Sequence, residues 1–172
     1  MNPSKLLRTL KQGGHVFGCM LSQRAPAVFA RVLDGRTLDS GPIVSVHRSR
    51  DRTEIHSLSR MLRQAAITPI VRIPIPKSEW VAMALDAGTA GVLVPYCETV
   101  EEVQACVATV KWHPLKGEYL KRAVEEGKLP TAATKKYLKN RRKDSFIIIG
   151  IESEPAYKNL DAILDVGGID GV

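Results

Sequence analysis

Apolar residues along this chain follow two spacings. Short continuous runs rich in β-branched residues alternate with stretches where apolar side chains recur every three or four positions. The first kind predicts buried parallel strands, apolar on both faces, and the second predicts amphipathic helices. Strands are expected at Val16–Leu21, Pro42–Val46, Pro69–Ile73 and Gly91–Pro95, and from Phe146 onward. Between them lie helices: one near Pro26–Leu33, one carrying Ile55, Leu58, Leu62 and Ala65, and one with Trp80, Met83, Ala84 and Ala87 on a single face. Ser78 is expected to cap the last of these. Thr99-Val100-Glu101-Glu102 has the form of a capping box, in which Thr and Glu satisfy the free N–H groups at a helix start. The helix it opens is expected to turn Val100, Val103, Val107 and Val110 inward.

The rhythm breaks at Trp112-His113-Pro114. Two short helices are predicted beyond it, near Glu118–Glu126 and Ala132–Asn140, before the Phe146 strand and a helix at Ala156–Leu164 resume the alternation. Ile169-Asp170-Gly171-Val172 reads as the opening of a further strand. Five consecutive βα units with buried strands imply a parallel sheet with right-handed crossovers. An open doubly wound sheet and part of a (β/α)8 barrel both satisfy that pattern. A complete barrel takes about 250 residues, more than the 172 of this chain.

Composition narrows the picture in three places. Aromatics make up only 5% of residues, so the core is expected to be aliphatic. No apolar run approaches the ~20 residues of a membrane span, and no signal-peptide pattern opens the chain, which gives a cytoplasmic expectation with no membrane partner. Cys19, Cys97 and Cys106 form no paired motif, as expected in a reducing compartment. The net charge of +7 is local. Lys111 to Lys143 holds 11 Lys/Arg against 3 Glu, whereas the remainder has 14 basic and 15 acidic residues. Trp112, Tyr119 and Tyr137 lie among those cations, so base stacking is conceivable there. A solvated helical face is the commoner outcome of such a run, and nucleic acid is not the expected partner.

Candidate chemistry gathers at the strand tips, where α/β folds hold ligands. Ser22 with Gln23, His47, Arg72, Asp86, Tyr96, and Glu152 with Ser153 fall at or beside those tips. Glu152 follows the run Phe146-Ile147-Ile148-Ile149-Gly150-Ile151 and is the leading candidate. A His oriented by an Asp could take a proton. An Arg fork could hold a carboxylate or a developing enolate, and a Glu could ligate a hard cation. Each has a plainer reading: a strand-ending His as packing, Arg72 paired with Asp86, and Asp86 as a helix end.

Thr68-Pro69-Ile70-Val71-Arg72-Ile73-Pro74, Ala84-Leu85-Asp86-Ala87-Gly88-Thr89-Ala90-Gly91-Val92-Leu93-Val94-Pro95, Ile149-Gly150-Ile151-Glu152-Ser153, Asn159-Leu160-Asp161-Ala162-Ile163 and Gly168-Ile169-Asp170-Gly171-Val172 together resemble the HpcH/HpaI aldolase/citrate lyase family. The resemblance is strongest from Ile67 onward. It implies a (β/α)8 TIM barrel, a divalent metal (Mg2+, Mn2+ or Co2+), a 2-oxo acid of the pyruvate or oxaloacetate type with an aldehyde as reactants, and homo-oligomeric assembly. Matched position by position, Arg72 corresponds to the arginine that holds pyruvate and Asp86 to the aspartate paired with the catalytic histidine. Glu152 corresponds to one of two metal carboxylates, with Ser153 beside it as a substrate contact. His47 corresponds to the catalytic histidine, although the family's Asp-x-Glu-His reads Val44-Ser45-Val46-His47 here, without either acid. His56 is the poorer candidate, being inside a helix.

The family's Gly-Pro-x-Asp-Leu-Ser motif, which carries the second metal carboxylate, would follow Val172. The expectation is therefore one partial barrel domain over residues 1–172, with a basic helical insertion at about 112–144. It would have about five βα units, the start of a sixth strand, and little aldolase activity of its own. The competing expectation is a non-catalytic remnant that binds a related subunit.

Overall fold

Inward and outward positions along each strand decide how this molecule is layered. The computed structural model describes residues 3–20, 38–45, 51–125 and 131–172. Its elements are α1 (Pro3–Lys11), β1 (Ser40–Val44), α2 (Arg52–Gln64), β2 (Thr68–Arg72), α3 (Ser78–Asp86), β3 (Gly91–Val94), α4 (Val100–Trp112), α5 (Gly117–Glu125), α6 (Ala132–Arg142), β4 (Phe146–Ile149), α7 (Glu154–Lys158) and α8 (Leu160–Leu164). The four strands form one parallel sheet in the order β1-β2-β3-β4. A doubly wound sheet reverses its strand order at a switch point. This one adds each strand to the same side, which is the sequence of a (β/α)8 barrel wall.

Two flanking segments extend the arc. Gly18 bridges Ser40 in parallel at one edge, and Gly171 bridges Ile148 at the other. The expected opening of a strand at Ile169–Val172 is thus realised: Asp170 N donates to Ile147 O at 3.1 Å and Ile149 N to Gly171 O at 3.0 Å. The predicted Val16–Leu21 strand is present only as the Gly18 bridge within the described residues. The Pro26–Leu33 helix lies outside them.

Register separates the two faces. Ile43, Val71, Val92 and Ile147 stand in one row, are fully buried, and pack on Ile55, Leu58, Leu62, Val81, Val103 and Val107 of the helices. Burying an aliphatic side chain of this kind contributes about 1.5–3 kcal/mol, so this sheet–helix layer is the main source of stability. The neighbouring row, Val44, Arg72, Leu93 and Ile148, faces the other way, toward the barrel interior. At the amino end of that interior, Leu6 of α1 is buried with Ile70, Ala90 and Phe146.

Helix ends follow local chemistry, with two corrections. The capping box at Thr99 and Glu102 forms in both directions, and Asp51 caps α2 by accepting from Glu54 N at 2.8 Å. Ser78 does not cap α3. Lys77 occupies that position in extended conformation with no side-chain hydrogen bond, its carbonyl accepting from Trp80 N and Val81 N, and Ser78 is the first helical residue. The single helix expected over Ala156–Leu164 is two short ones, split where Asn159 leaves helical geometry. Beyond Trp112, α5 and α6 dock through Ala123 and Leu138, while Tyr119 and Tyr137 remain exposed.

Gly91 sits opposite Phe146 in the β3–β4 register, and the aromatic ring occupies the space a Cβ on Gly91 would need. Gly91→Ala is therefore expected to destabilise the protein by about 1–3 kcal/mol through overpacking. Urea unfolding monitored by circular dichroism reads this directly, and an unchanged midpoint would contradict the packing described.

Candidate functional site at the carboxyl end of the sheet

A strand in a barrel-type wall delivers its last interior residue to the carboxyl-end mouth. For β2 that residue is Arg72, which shares a row with Leu93 and Ile148. Glu152 lies past the end of β4, so one intervening strand separates the two side chains. They meet across it. Arg72 Nη2 donates to both carboxylate oxygens of Glu152, at 3.0 Å to Oε1 and 2.9 Å to Oε2. Charge on both partners makes such a contact stronger than a neutral hydrogen bond. The side chains retain 18% and 32% exposure, so the pair stands at a mouth rather than in a sealed core and water still screens it.

Tyr96, from the loop after β3, completes the arrangement. Its ring centroid is 5.3 Å from Arg72 Cζ, within cation–π range. Its backbone φ of +57° is left-handed, which for a bulky residue is sparsely populated and is characteristic of functional loops. Burial disfavours the charged guanidinium, but Glu152 and Tyr96 together outweigh it, so Arg72 has a pKa above its ordinary value. Gly150 permits the close approach of the two loops. A Cβ there would lie 2.7 Å from Glu152 Oε1 and 3.2 Å from Pro95 Cα, and Gly150 N donates to Val94 O at 2.7 Å.

Ser153 is engaged on both sides of its hydroxyl. It caps α7 by accepting from Ala156 N at 3.3 Å and donates to Glu98 Oε1 at 2.7 Å. Burial raises the nearby Cys97 thiol to about 12, with Glu102 and Glu152 adding to the shift. The thiol therefore stays protonated near neutrality and is no nucleophile.

Asp86 is elsewhere. It ends α3 on the outer helical layer, ahead of β3, and its carboxylate is 3.0 Å from Nε2 of His113, the residue closing α4. The separation is that of a hydrogen bond but the alignment is not, since Nε2 makes no directed bond. Asp86 also borders a shallow cavity with Arg52, Thr53 and His56. His47 and the Ser22–Gln23 pair fall outside the described residues. Of the sequence candidates, the structure thus brings together Arg72, Glu152, Ser153 and Tyr96, and separates Asp86 from them. Glu98 and His113 were not singled out by sequence, because both owe their contacts to segments distant in the chain.

Among the described residues no three His, Cys, Asp or Glu side chains converge as a metal-holding group. The oxygen donor available is Glu152, which suits a hard cation of the Mg2+ class, commonly held by one or two carboxylates plus substrate and water. No described helix is long and apolar enough to cross a membrane.

Comparison with known proteins bears on this geometry. Residues 39–172 match the family model described as HpcH/HpaI aldolase/citrate lyase. A hydroxypyruvate/pyruvate aldolase of Roseobacter denitrificans is 29% identical over 96% of this chain and 64% of its own length. A 5-keto-4-deoxy-D-glucarate aldolase of Salmonella newport is 28% identical over 99% of this chain and 65% of its own length. The chain therefore spans slightly under two thirds of these curated relatives. Among solved structures, an HpcH/HpaI aldolase from Desulfitobacterium hafniense superposes with a TM-score of 0.74 at 27% identity, covering 95% of this chain and 63% of that one. Macrophomate synthase superposes at 0.71 with 24% identity, covering 98% of this chain and 59% of that one, a likeness of fold alone.

His113, on the outer helical layer, gives the fold a pH signature. Burial lowers its pKa below 6.5, against the opposing pull of Asp86 and with help from Arg141 and Lys116. Between the folded and unfolded pKa values the unfolded chain binds more protons, so stability rises with pH there. The contribution is complete above about pH 6.5 and is lost as pH falls through the folded value. Urea midpoints measured from neutral to mildly acidic pH should fall along this course, and His113→Gln should flatten the slope. A slope unchanged in that variant would contradict the assignment.

Proposed function

The chain belongs to the HpcH/HpaI aldolase/citrate lyase family, and from that premise we propose that its carboxyl-end site serves cleavage or formation of a C–C bond in 4-hydroxy-2-oxo acids through a pyruvate-type enolate. The observation that carries this reading is the Arg72–Glu152 pair with Tyr96 beneath it. A guanidinium fixed at the barrel mouth is matched to the carboxylate and adjacent oxygen of a 2-oxo acid, which a planar fork can grip with two N–H groups. Arg72 orients the substrate and holds positive charge where the enolate oxygen develops, a stabilisation worth most in a partly dry mouth. Glu152 would hold a divalent cation, Mg2+, Mn2+ or Co2+, whose chemistry when bound is to polarise the 2-oxo carbonyl. Ser153, one residue on, keeps the Glu152 loop in place at the substrate's edge.

His47 is proposed as the base that takes the proton from C3. Its place is known from sequence only, two positions beyond Ser45, while Asp86 lies on the outer helical layer against His113. Asp86 is proposed as its orienting partner, and homo-oligomeric assembly is proposed from the family alone. The aldolase names of the relatives agree with the reaction class.

Calorimetric titration tests the two assignments separately. Mn2+ should bind the purified protein with an affinity at least about tenfold lower in Glu152→Gln, and pyruvate in the presence of Mn2+ should weaken comparably in Arg72→Lys, as the loss of a charge-assisted contact implies. Cation-dependent release of pyruvate from a 4-hydroxy-2-oxo acid is the corresponding activity readout. Binding of both partners that ignores both substitutions would overturn the proposal.

A further inference from the structure

The loop that delivers Glu152 has little packing of its own. From Ser153 to Leu164 only Ala156 and Ile163 are buried, while Tyr157 is 71% exposed and Leu164 46%. The two helices in this stretch are five residues each, too short to be stable without tertiary support. Segments with so few apolar contacts open readily unless polar contacts tie them down. Among the described residues, two side-chain hydrogen bonds tie this stretch to the loop after β3, and both run to one residue. Glu98, half-buried in the loop after β3, accepts from Ser153 Oγ at 2.7 Å through its carboxylate and from Asn159 Nδ2 at 2.8 Å through its carbonyl. Its own N–H donates to Glu102 Oε2 at 3.1 Å, anchoring it to the capping box of α4.

We propose that Glu98 is a positioning residue which, through Ser153, fixes the loop bearing Glu152 and thereby holds the carboxylate against Arg72. The short Ser153–Glu98 bond is charge-assisted, the strong class of hydroxyl contact. It joins the loop that carries Tyr96 to the loop that carries Glu152, so one strut sets the spacing of both groups around the guanidinium. Asn159 adds a second point of attachment at the break between α7 and α8, which explains why that helix is interrupted there: its side chain turns out of the helix toward Glu98. Ser153 on this account acts by holding its neighbour, and its hydroxyl is spent on Glu98 and the α7 cap.

The inference rests on the proposed site, but its test does not. The Arg72 Nη–H signals in a ¹⁵N-labelled sample should be resolved while Glu152 restrains rotation of the guanidinium, with neither metal nor substrate needed. Glu98→Ala should average them into one broad signal, while Glu98→Gln, whose amide oxygen still accepts from Ser153, should leave them resolved. Ser153→Asp keeps the α7 cap but sets two carboxylates against each other, and should also lose the resolved signals. Combining it with Glu98→Gln lets the amide donate to Asp and should restore them, which separates positioning from general loss of fold. Mn2+ affinity should follow the same order, with losses of about tenfold or more typical for outer partners of a ligand. Resolved Arg72 signals in folded Glu98→Ala would overturn the proposal. If those signals respond as expected while no variant binds Mn2+, the strut stands and the functional reading fails.

Discussion

A single guanidinium–carboxylate contact spans three strands of this protein, and it exists only because those strands are parallel and in sequential order. Arg72 ends β2 and Glu152 follows β4. With either strand reversed, one of the two would sit at the other end of the sheet. Parallel pairing therefore acts as the constraint from which the site follows. It requires each connection to return across the sheet, and because successive strands are always added on the same side, the right-handed crossovers place the connecting helices on one face and leave the other as an interior. The row Val44, Arg72, Leu93, Ile148 belongs to that interior, and only at its mouth can a charged side chain be tolerated.

The same constraint explains the cost concentrated in the loops. Tyr96 holds a left-handed backbone to lie against Arg72, and Gly150 gives up a side chain so that Glu152 can fold back beside Pro95. Neither residue gains stability by its choice. The strained and side-chain-free positions flank the Arg72–Glu152 pair, while the helix-facing row from Ile43 to Ile147 carries the packing that sustains them. Stability and site are thus divided between the two faces of one sheet.

How far the sequence reveals this depends on the range of the interaction involved. Strand cores at Pro69–Ile73, Gly91–Pro95 and Phe146 onward are legible because two buried faces demand continuous apolar residues. The Thr99–Glu102 capping box is legible because it is local. Arg72 and Glu152 are legible as strand-tip residues, since tips are where interior positions meet solvent. Spacing alone could not distinguish a barrel wall from a doubly wound sheet, because both use the same βα units; the order of β1 to β4 in space decides it. Asp86 is legible as a residue just before β3 and as a helix end, which is where it lies, but its contact with His113 is not. Glu98, His113 and the break at Asn159 were invisible for one shared reason. Each is defined by a partner tens of residues away, and no local pattern records such a partner.

Paramagnetic broadening by Mn2+ locates the cation without reference to turnover, and it is the most direct test of a site built at the carboxyl end. Backbone amide signals of Arg72, Tyr96 and Gly150 to Ser153 should broaden first as Mn2+ is added, with Asp86, His56 and His113 spared at the same concentration. Broadening centred on Asp86 and His113, or spread evenly over the acidic surface, would contradict the account.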